Sequence, residues 1–256
     1  METFIQQEPK SQRYFKSFVG SEEFINNKAR FCLWLVDASP LELRTMPKVL
    51  ERVAKVKSLR EQSIDKQARE LAKFPTMFRD KNNPDTAVIV PLVSSENRKF
   101  IPLGFINSNT VPSNLCSFIP EATYFHLGVL SSTMHMSWVK YVCGRLKSDY
   151  RYSNGIVYNN FPWPENPNEK QVQAVEAAAQ NVLDARAQFP NASLADLYDP
   201  NTMPPVLVKA HQALDKAVDL CYRPQPFINE TKRIEFLFEL YDKYTSGIFG
   251  DKKIKK

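Results

Sequence analysis

Gly144-Arg145-Leu146-Lys147-Ser148-Asp149-Tyr150-Arg151-Tyr152-Ser153 is a run in which cationic donors, a carboxylate and aromatic rings alternate. In an extended chain, side chains two apart share a face. Arg145, Lys147, Asp149 and Arg151 are therefore expected in one row, and Leu146, Ser148, Tyr150 and Tyr152 in the other. Lysine and arginine are the usual donors to guanine O6 and N7, and aspartate accepts from cytosine N4. A Lys147/Asp149 pair thus suits both halves of one G·C pair. A solvated edge strand with ordinary surface charges has the same appearance, and composition leaves both readings open. Tyr150 and Tyr152 fit a core-filling face better than packing on sugars.

Outward from this run, the chain of 256 residues is long enough for one large domain or two small ones. A net charge of +6 and a pI near 9.0 are compatible with an anionic partner. Pro47 to Lys73 concentrates Lys48, Arg52, Lys55, Lys57, Arg60, Lys66, Arg69 and Lys73. This stretch suits a phosphate backbone and, equally, a solvated helix face. Cys32, Cys116, Cys143 and Cys221 lie far apart, with no histidine at zinc-ligand spacing, so neither a metal site nor a disulfide framework is expected. No apolar run approaches the roughly 20 residues of a membrane span, and there is no signal-peptide layout. A soluble, cytoplasmic protein without membrane partners is expected.

The pattern reads as an α+β protein. Residues 1–29 are taken as a partly ordered lead-in, and Phe31 to Val36 as a buried strand closed by the Ser39-Pro40 turn signal. One helix is expected from Pro47 to about Lys73. Short strands follow at Ala87–Val90, Phe100–Ile106 and Leu115–Ile119. A helix starting near Thr123 aligns Leu127, Leu130, Met134 and Trp138, and Ile156-Val157-Tyr158 reads as another short strand. Helical patterns then run over Glu169–Phe189, Pro204–Tyr222 and Glu230–Tyr244. The division is thus a mixed α/β domain with short strands and flanking helices over 30–165, a helical C-terminal region over 166–250, and a basic tail over 251–256.

Catalytic signatures are missing. The 7 glycines are scattered singly, with no phosphate loop and no GxSxG. His126, His135 and His211 match no HExxH, and His126 and His135 fit structural roles on a helix. Asp37, Asp80, Asp85 and Glu96 form no carboxylate pair with a nearby lysine at nuclease spacing. No catalytic residue, resident cofactor or metal is assigned to this chain.

Arg30-Phe31-Cys32-Leu33-Trp34-Leu35, Pro91 through Pro102, Leu130 through Trp138, Gly144 through Ser153 and Tyr158-Asn159-Asn160-Phe161-Pro162-Trp163-Pro164 occur in this order. Together they resemble the C-terminal part of the type IIL, MmeI-like class of single-chain restriction-modification enzymes. The resemblance implies a target recognition domain followed by a helical C-terminal region. The S-adenosylmethionine-dependent adenine-N6 methyltransferase core of such enzymes is not represented. Asn83-Pro84-Asp85 and Met203-Pro204-Pro205-Val206 are the nearest strings to its catalytic motif and do not match it. The chain then reads as an excised fragment, or as a truncated or split gene product beginning at Met1.

Three expectations follow from the resemblance. Lys147, Asp149 and Arg151 correspond to positions that choose bases. The partners are double-stranded DNA and a methyltransferase core, in cis or as a separate subunit. S-adenosylmethionine belongs to that core. Ser94, Ser95, Asn97 and Arg98, with Arg145, suit base-edge or phosphate contacts, though the first four equally suit a capped turn. Trp163 between two prolines reads as a packed hinge. The rival reading is a protein–protein docking or subunit-assembly module without base readout.

Overall fold

The computed structural model describes residues 1–249; the basic tail expected over 251–256 lies outside the described residues. The chain divides into two compact units. The first comprises Met1–Val19, Ala29–Asp85 and Asn107–Val111; the second comprises Gly20–Lys28, Thr86–Ile106 and the chain from Pro112 onward.

The first unit opens with α1 (Glu2–Gln7), a 3₁₀ turn over Pro9–Tyr14 and β1 (Phe15–Val19). The segment expected as a partly ordered lead-in is thus regular structure. Its aromatic residues supply the reason: Phe4 packs edge-on against Phe15 at 5.7 Å, and Tyr14 is buried with Leu35, Met46 and Val49. Between β1 and the next strand lies α2 (Ser21–Asn26), which belongs to the second unit. Strand β2 (Phe31–Leu33) pairs antiparallel with β1, Phe15 facing Leu33. Only three residues of the expected Phe31–Val36 strand pair, and β2 forms the edge of its sheet, with Phe31 exposed. Trp34 and Leu35 leave the ladder to enter the core.

Helix α3 (Pro40–Arg44) begins with Ser39 as its cap, and α4 (Pro47–Glu61) with proline at its first position. The single helix expected to Lys73 is broken: α5 (Lys66–Leu71) starts afresh after Asp65, whose Oδ1 accepts the Gln67 N–H at 2.9 Å. An aspartate that caps a new helix competes with continuation of the old one.

The second unit contains β3 (Thr86–Pro91), β4 (Val93–Ser94), β5 (Gly104–Asn107) up to Ile106, and β7 (Cys116–Pro120), while β6 (Thr110–Pro112), which completes the first sheet, has Thr110 and Val111 in the first unit. Sheet orders are β2-β1-β6 and β5-β3-β7; β3 and β7 pair antiparallel, with Ile89 opposite Phe118. The expected helix after Thr123 is two helices, α6 (Tyr124–Leu130) and α7 (Thr133–Val142). Ser132 interrupts it, its hydroxyl accepting the His135 N–H at 3.4 Å. Strands β8 (Gly144–Leu146) and β9 (Asp149–Arg151) join β4 in a third sheet of order β4-β9-β8.

Ile156-Val157-Tyr158, read as a strand, lies instead in a π-helical turn over Asn154–Tyr158. Its carbonyls are satisfied without a ladder: the Asn159 N–H reaches Asn154 O at 2.8 Å, Asn160 Nδ2 donates to Gly155 O and Ile156 O, and Trp138 Nε1 donates to Val157 O at 3.1 Å.

Helices α8 (Glu169–Ala187), α9 (Leu194–Leu197), α10 (Pro205–Tyr222) and α11 (Glu230–Phe249) complete the chain. Asn168 and Gln171 form a reciprocal cap at the start of α8. The apolar stripes of α8 and α10 close on α6, where Gly128 is required. A Cβ there would meet Val175 Cγ1 at 2.7 Å and Leu214 Cδ1 at 3.2 Å. One apolar core runs from Val88 and Val90 through Met134 and Trp138 to Leu214 and Leu237, so the C-terminal helices share a core with the strands.

Asp215 accepts the Thr133 N–H at 2.7 Å where α7 begins, and Asp219 holds Arg233 through two hydrogen bonds, at 3.1 and 2.6 Å. Burial pushes the Asp215 carboxyl up to about 6, against the pull of Thr133 and Arg233. A native carboxyl that keeps its proton above the ordinary value stabilises the fold in its protonated form. This contribution is complete below about pH 4 and is lost as pH rises through about 6. Asp215→Asn keeps the acceptor and removes the titration. Urea titrations should show the variant gaining about 2 kcal/mol on wild type between pH 4 and pH 7; parallel curves would refute the assignment.

Candidate nucleic-acid interface

The third sheet gathers the segments singled out in the sequence. Leu146 pairs with Asp149, Arg145 with Tyr150 and Gly144 with Arg151, while β4 adds Val93 opposite Arg151 and Ser94 opposite Tyr150. Lys147 and Ser148 are therefore the two loop residues of a hairpin, and the expected single row of four charges is folded in half. Directly opposed residues share a face. Arg145 consequently lies on the face of Tyr150, whereas Asp149 and Arg151 lie on the face of Leu146 and Gly144. The even-numbered partner of an odd-numbered residue is what reverses the alternation.

Arg145 is committed to the hairpin. Its guanidinium sits 4.1 Å over the Tyr150 ring and donates to Ser148 O at 2.9 Å. Lys147 stands exposed at the tip, with φ at +56°. Arg151 is exposed on the central strand, flanked by Gly144 and Val93, and Asp149 is half-buried. Tyr150 and Tyr152 are each 4% exposed and fill the core, whereas Leu146 and Ser148 of the same expected row are exposed.

The 94–98 segment meets this hairpin through Glu96, whose N–H donates to Asp149 Oδ1 at 3.3 Å across 53 positions of chain. Ser94 is the exception among the residues expected to contact DNA. Its register opposite Tyr150 turns it inward, and at 3% exposure its hydroxyl faces the core. Ser95, half-buried, uses its hydroxyl to accept the Asn97 N–H at 3.3 Å, while its carbonyl accepts the Arg98 N–H at 3.2 Å; a tight turn results. Asn97 is exposed, and Arg98 is half-buried, its pKa lowered by burial against the opposing field of Asp149 and Asp199. The Glu96 amide and the exposed Lys99 were not singled out in the sequence. No residue type marks a functional backbone N–H, whereas Lys99 sat inside the quoted motif as an available cation.

Comparison with known proteins places this sheet in a family. Residues 1–165 match the MmeI target recognition domain and residues 167–249 the MmeI C-terminal domain. The chain belongs to the MmeI family. It is 43% identical over 242 residues to DNA methyltransferase A of Bacillus subtilis (strain 168), an alignment covering 94% of this chain and 27% of that protein. It is also similar to a solved structure described as the type IIL restriction-modification enzyme MmeI in complex with DNA. That likeness has a TM-score of 0.91 and 51% identity, over 96% of this chain and 33% of that one. The chain therefore spans about a third or less of the length of these relatives.

Beneath the hairpin of this MmeI-family chain the supports are internal. His135 bonds Leu130 O at 2.8 Å and the Tyr152 hydroxyl at 3.0 Å, and burial pushes its pKa down to about 4, so it is neutral and structural. His126 Nδ1 accepts the Thr123 N–H at 3.1 Å as part of the α6 cap. Trp163 packs edge-on to Phe161 at 5.5 Å and to His126 at 5.7 Å, and its carbonyl accepts the Tyr244 hydroxyl. It is packed, as expected, on both neighbouring rings.

The basic stretch after Pro47 lies in the first unit, and several of its cations are internally engaged. Arg60 donates to Leu71, Phe74 and Met77 carbonyls, Arg69 to Ser63 and Ile64 carbonyls, and Arg52 rests over the Phe4 ring. Among the described residues no group of histidine, cysteine, aspartate and glutamate could hold a metal ion, and no helix is long and apolar enough to cross a membrane.

A left-handed backbone costs a lysine about 1–2 kcal/mol and a glycine almost nothing. Lys147→Gly should therefore hold or raise the stability of the chain by about 1 kcal/mol, while Lys147→Val should lower it by about 1–2 kcal/mol, both read by thermal melting. A glycine variant less stable than wild type would contradict the turn geometry.

Proposed function

We propose that this chain is the sequence-specific double-stranded DNA recognition module of an S-adenosylmethionine-dependent DNA adenine-N6 methyltransferase of a restriction-modification system. The observation that carries the reading is the exposed hairpin tip, bearing a cation at 147 and a carboxylate at 149, in a chain whose 51% identical relative was solved in complex with DNA. The tip is narrow enough, as a two-stranded ribbon, for the major groove.

In this reading the Lys147 ammonium donates to guanine O6 or N7, and the Asp149 oxygen not held by Glu96 accepts from cytosine N4. Arg151, one residue pair further along the same face, reaches a neighbouring base or phosphate. Asn97, Arg98 and Ser95 approach the strand beside the hairpin, and Lys99 adds a phosphate contact. Arg145 stiffens the tip and leaves direct contact to its neighbours. Affinity comes mainly from phosphate contacts, choice of site from the few base contacts.

The methyltransferase core belongs to polypeptide outside this chain, in cis or as a separate subunit, and S-adenosylmethionine supplies the methyl group there. Methylation needs the target adenine out of the stack. This chain's share is to hold the flanking duplex in register.

Two measurements test the proposal. Binding of duplex DNA by the chain should weaken by about two orders of magnitude from 50 to 200 mM salt if four or five phosphates are contacted; a protein-docking surface would respond little. In the enzyme that carries this chain, Lys147→Glu combined with Asp149→Arg should move preference at one position from G toward C, because donor and acceptor are exchanged. A wrong pair there costs about 1–3 kcal/mol. An unchanged set of methylated sites at lower activity would overturn the assignment.

A further inference from the structure

We propose that residue 149 sets specificity at two positions of the DNA site: at one through its own carboxylate, and at a second by latching the Ser95–Arg98 loop. The inference rests on the base-reading role proposed for the hairpin and adds the loop as a second, dependent element.

The loop is closed on itself by Ser95. Its carbonyl and hydroxyl accept the N–H groups of Arg98 and Asn97. That turn fixes local shape but not the loop's placement over the sheet. Placement beside the hairpin comes from the Glu96 N–H on Asp149 Oδ1, while the half-buried Arg98 guanidinium feels the charges of both Asp149 and Asp199, and Phe100, stacked on His211, holds the chain downstream. The hydrogen bond from the loop to the hairpin thus ends on the Asp149 carboxylate.

Upstream, the loop is held by a short strand. β4 contributes only the pairs Val93–Arg151 and Ser94–Tyr150, with the Tyr152 N–H on Leu92 O at 2.9 Å just behind them. The ladder therefore stops at Ser94, and beyond it the Glu96 N–H is held by the Asp149 carboxylate. A carboxylate has four lone-pair sites. Asp149 can hold the loop and accept from a base at once, whereas an arginine or alanine at 149 offers the Glu96 N–H no acceptor.

The consequence is non-additivity. Exchanging residue 149 to alter one base preference releases Asn97 and Arg98 and blurs another.

The geometry supplies selective variants. Asp149→Asn keeps an acceptor for the Glu96 N–H while changing the base-facing group. Asp149→Ala removes both. Glu96 is the second residue of the Ser95–Arg98 turn, a position that tolerates proline, so Glu96→Pro removes the donor and leaves Asp149 intact.

Hydrogen exchange of the full chain should show the amides of Asn97 to Lys99 exchanging about fivefold faster in Asp149→Ala, a change on the scale of one exposed hydrogen bond, and less than twofold faster in Asp149→Asn. Unchanged exchange in Asp149→Ala overturns the latch, whatever the DNA results. Selection by the full chain from a randomised duplex pool supplies the second reading. Asp149→Asn should alter one position, Asp149→Ala should relax two, and Glu96→Pro should relax only the second. If Asp149→Ala relaxes one position and Glu96→Pro none, the coupling is wrong and base reading stands. If the three variants bind with the wild-type site unchanged at every position, the base-reading role itself is wrong.

Discussion

The antiparallel seating of β9 between β4 and β8 is the constraint on which the interface depends. Side chains alternate with a period of two, so the pairing register alone decides which of Arg145, Asp149, Tyr150 and Arg151 face outward. Leu146 opposite Asp149 makes the loop two residues long, sends Arg145 to the Tyr150 face, and leaves Lys147 at the tip. Ser94 opposite Tyr150 turns that serine inward and carries the chain out of the ladder at Ser95. A slip of one residue in either pairing would bury the carboxylate and expose a tyrosine.

Stiffness reaches the hairpin from below. Tyr152 is anchored on neutral His135, and Trp138 holds the carbonyl of Val157. The tyrosine hydroxyls at 222 and 244 bind the carbonyls of Pro162 and Trp163. These buried polar groups find partners far along the sequence, which makes the layer specific as well as cohesive. The C-terminal helices belong to the same foundation: α8 and α10 close on Gly128 of α6, and Arg186 of α8 binds the carbonyl of Leu103. A groove-reading element gains from such support because less ordering remains to be done on binding.

Local signals in the chain located most elements and misplaced several boundaries. Proline at the start of α4, the helical patterns of α8 and α10 and the apolar run of β3 were all readable. Periodicity could not see that Asp65 and Ser132 would each cap a new helix, since a polar residue within an apolar stripe does not disturb the count. It also took Ile156-Val157-Tyr158 for a strand, because a short apolar run carries no information about whether a partner strand exists beside it.

What the sequence determined by itself was chemistry and family: a cation and a carboxylate near a tight turn, tyrosines placed for burial, no catalytic signature, and motifs in an order that belongs to the MmeI family. Tertiary structure decided which of these groups meet. The turn at Lys147 split an apparent row, the Ser94–Tyr150 register withdrew one expected contact, and the Glu96 amide reached Asp149 from far along the chain. The physical reason is that residue types record which bonds a side chain can make, whereas register and loop closure, set by pairing over long separations, determine which of those bonds are within reach.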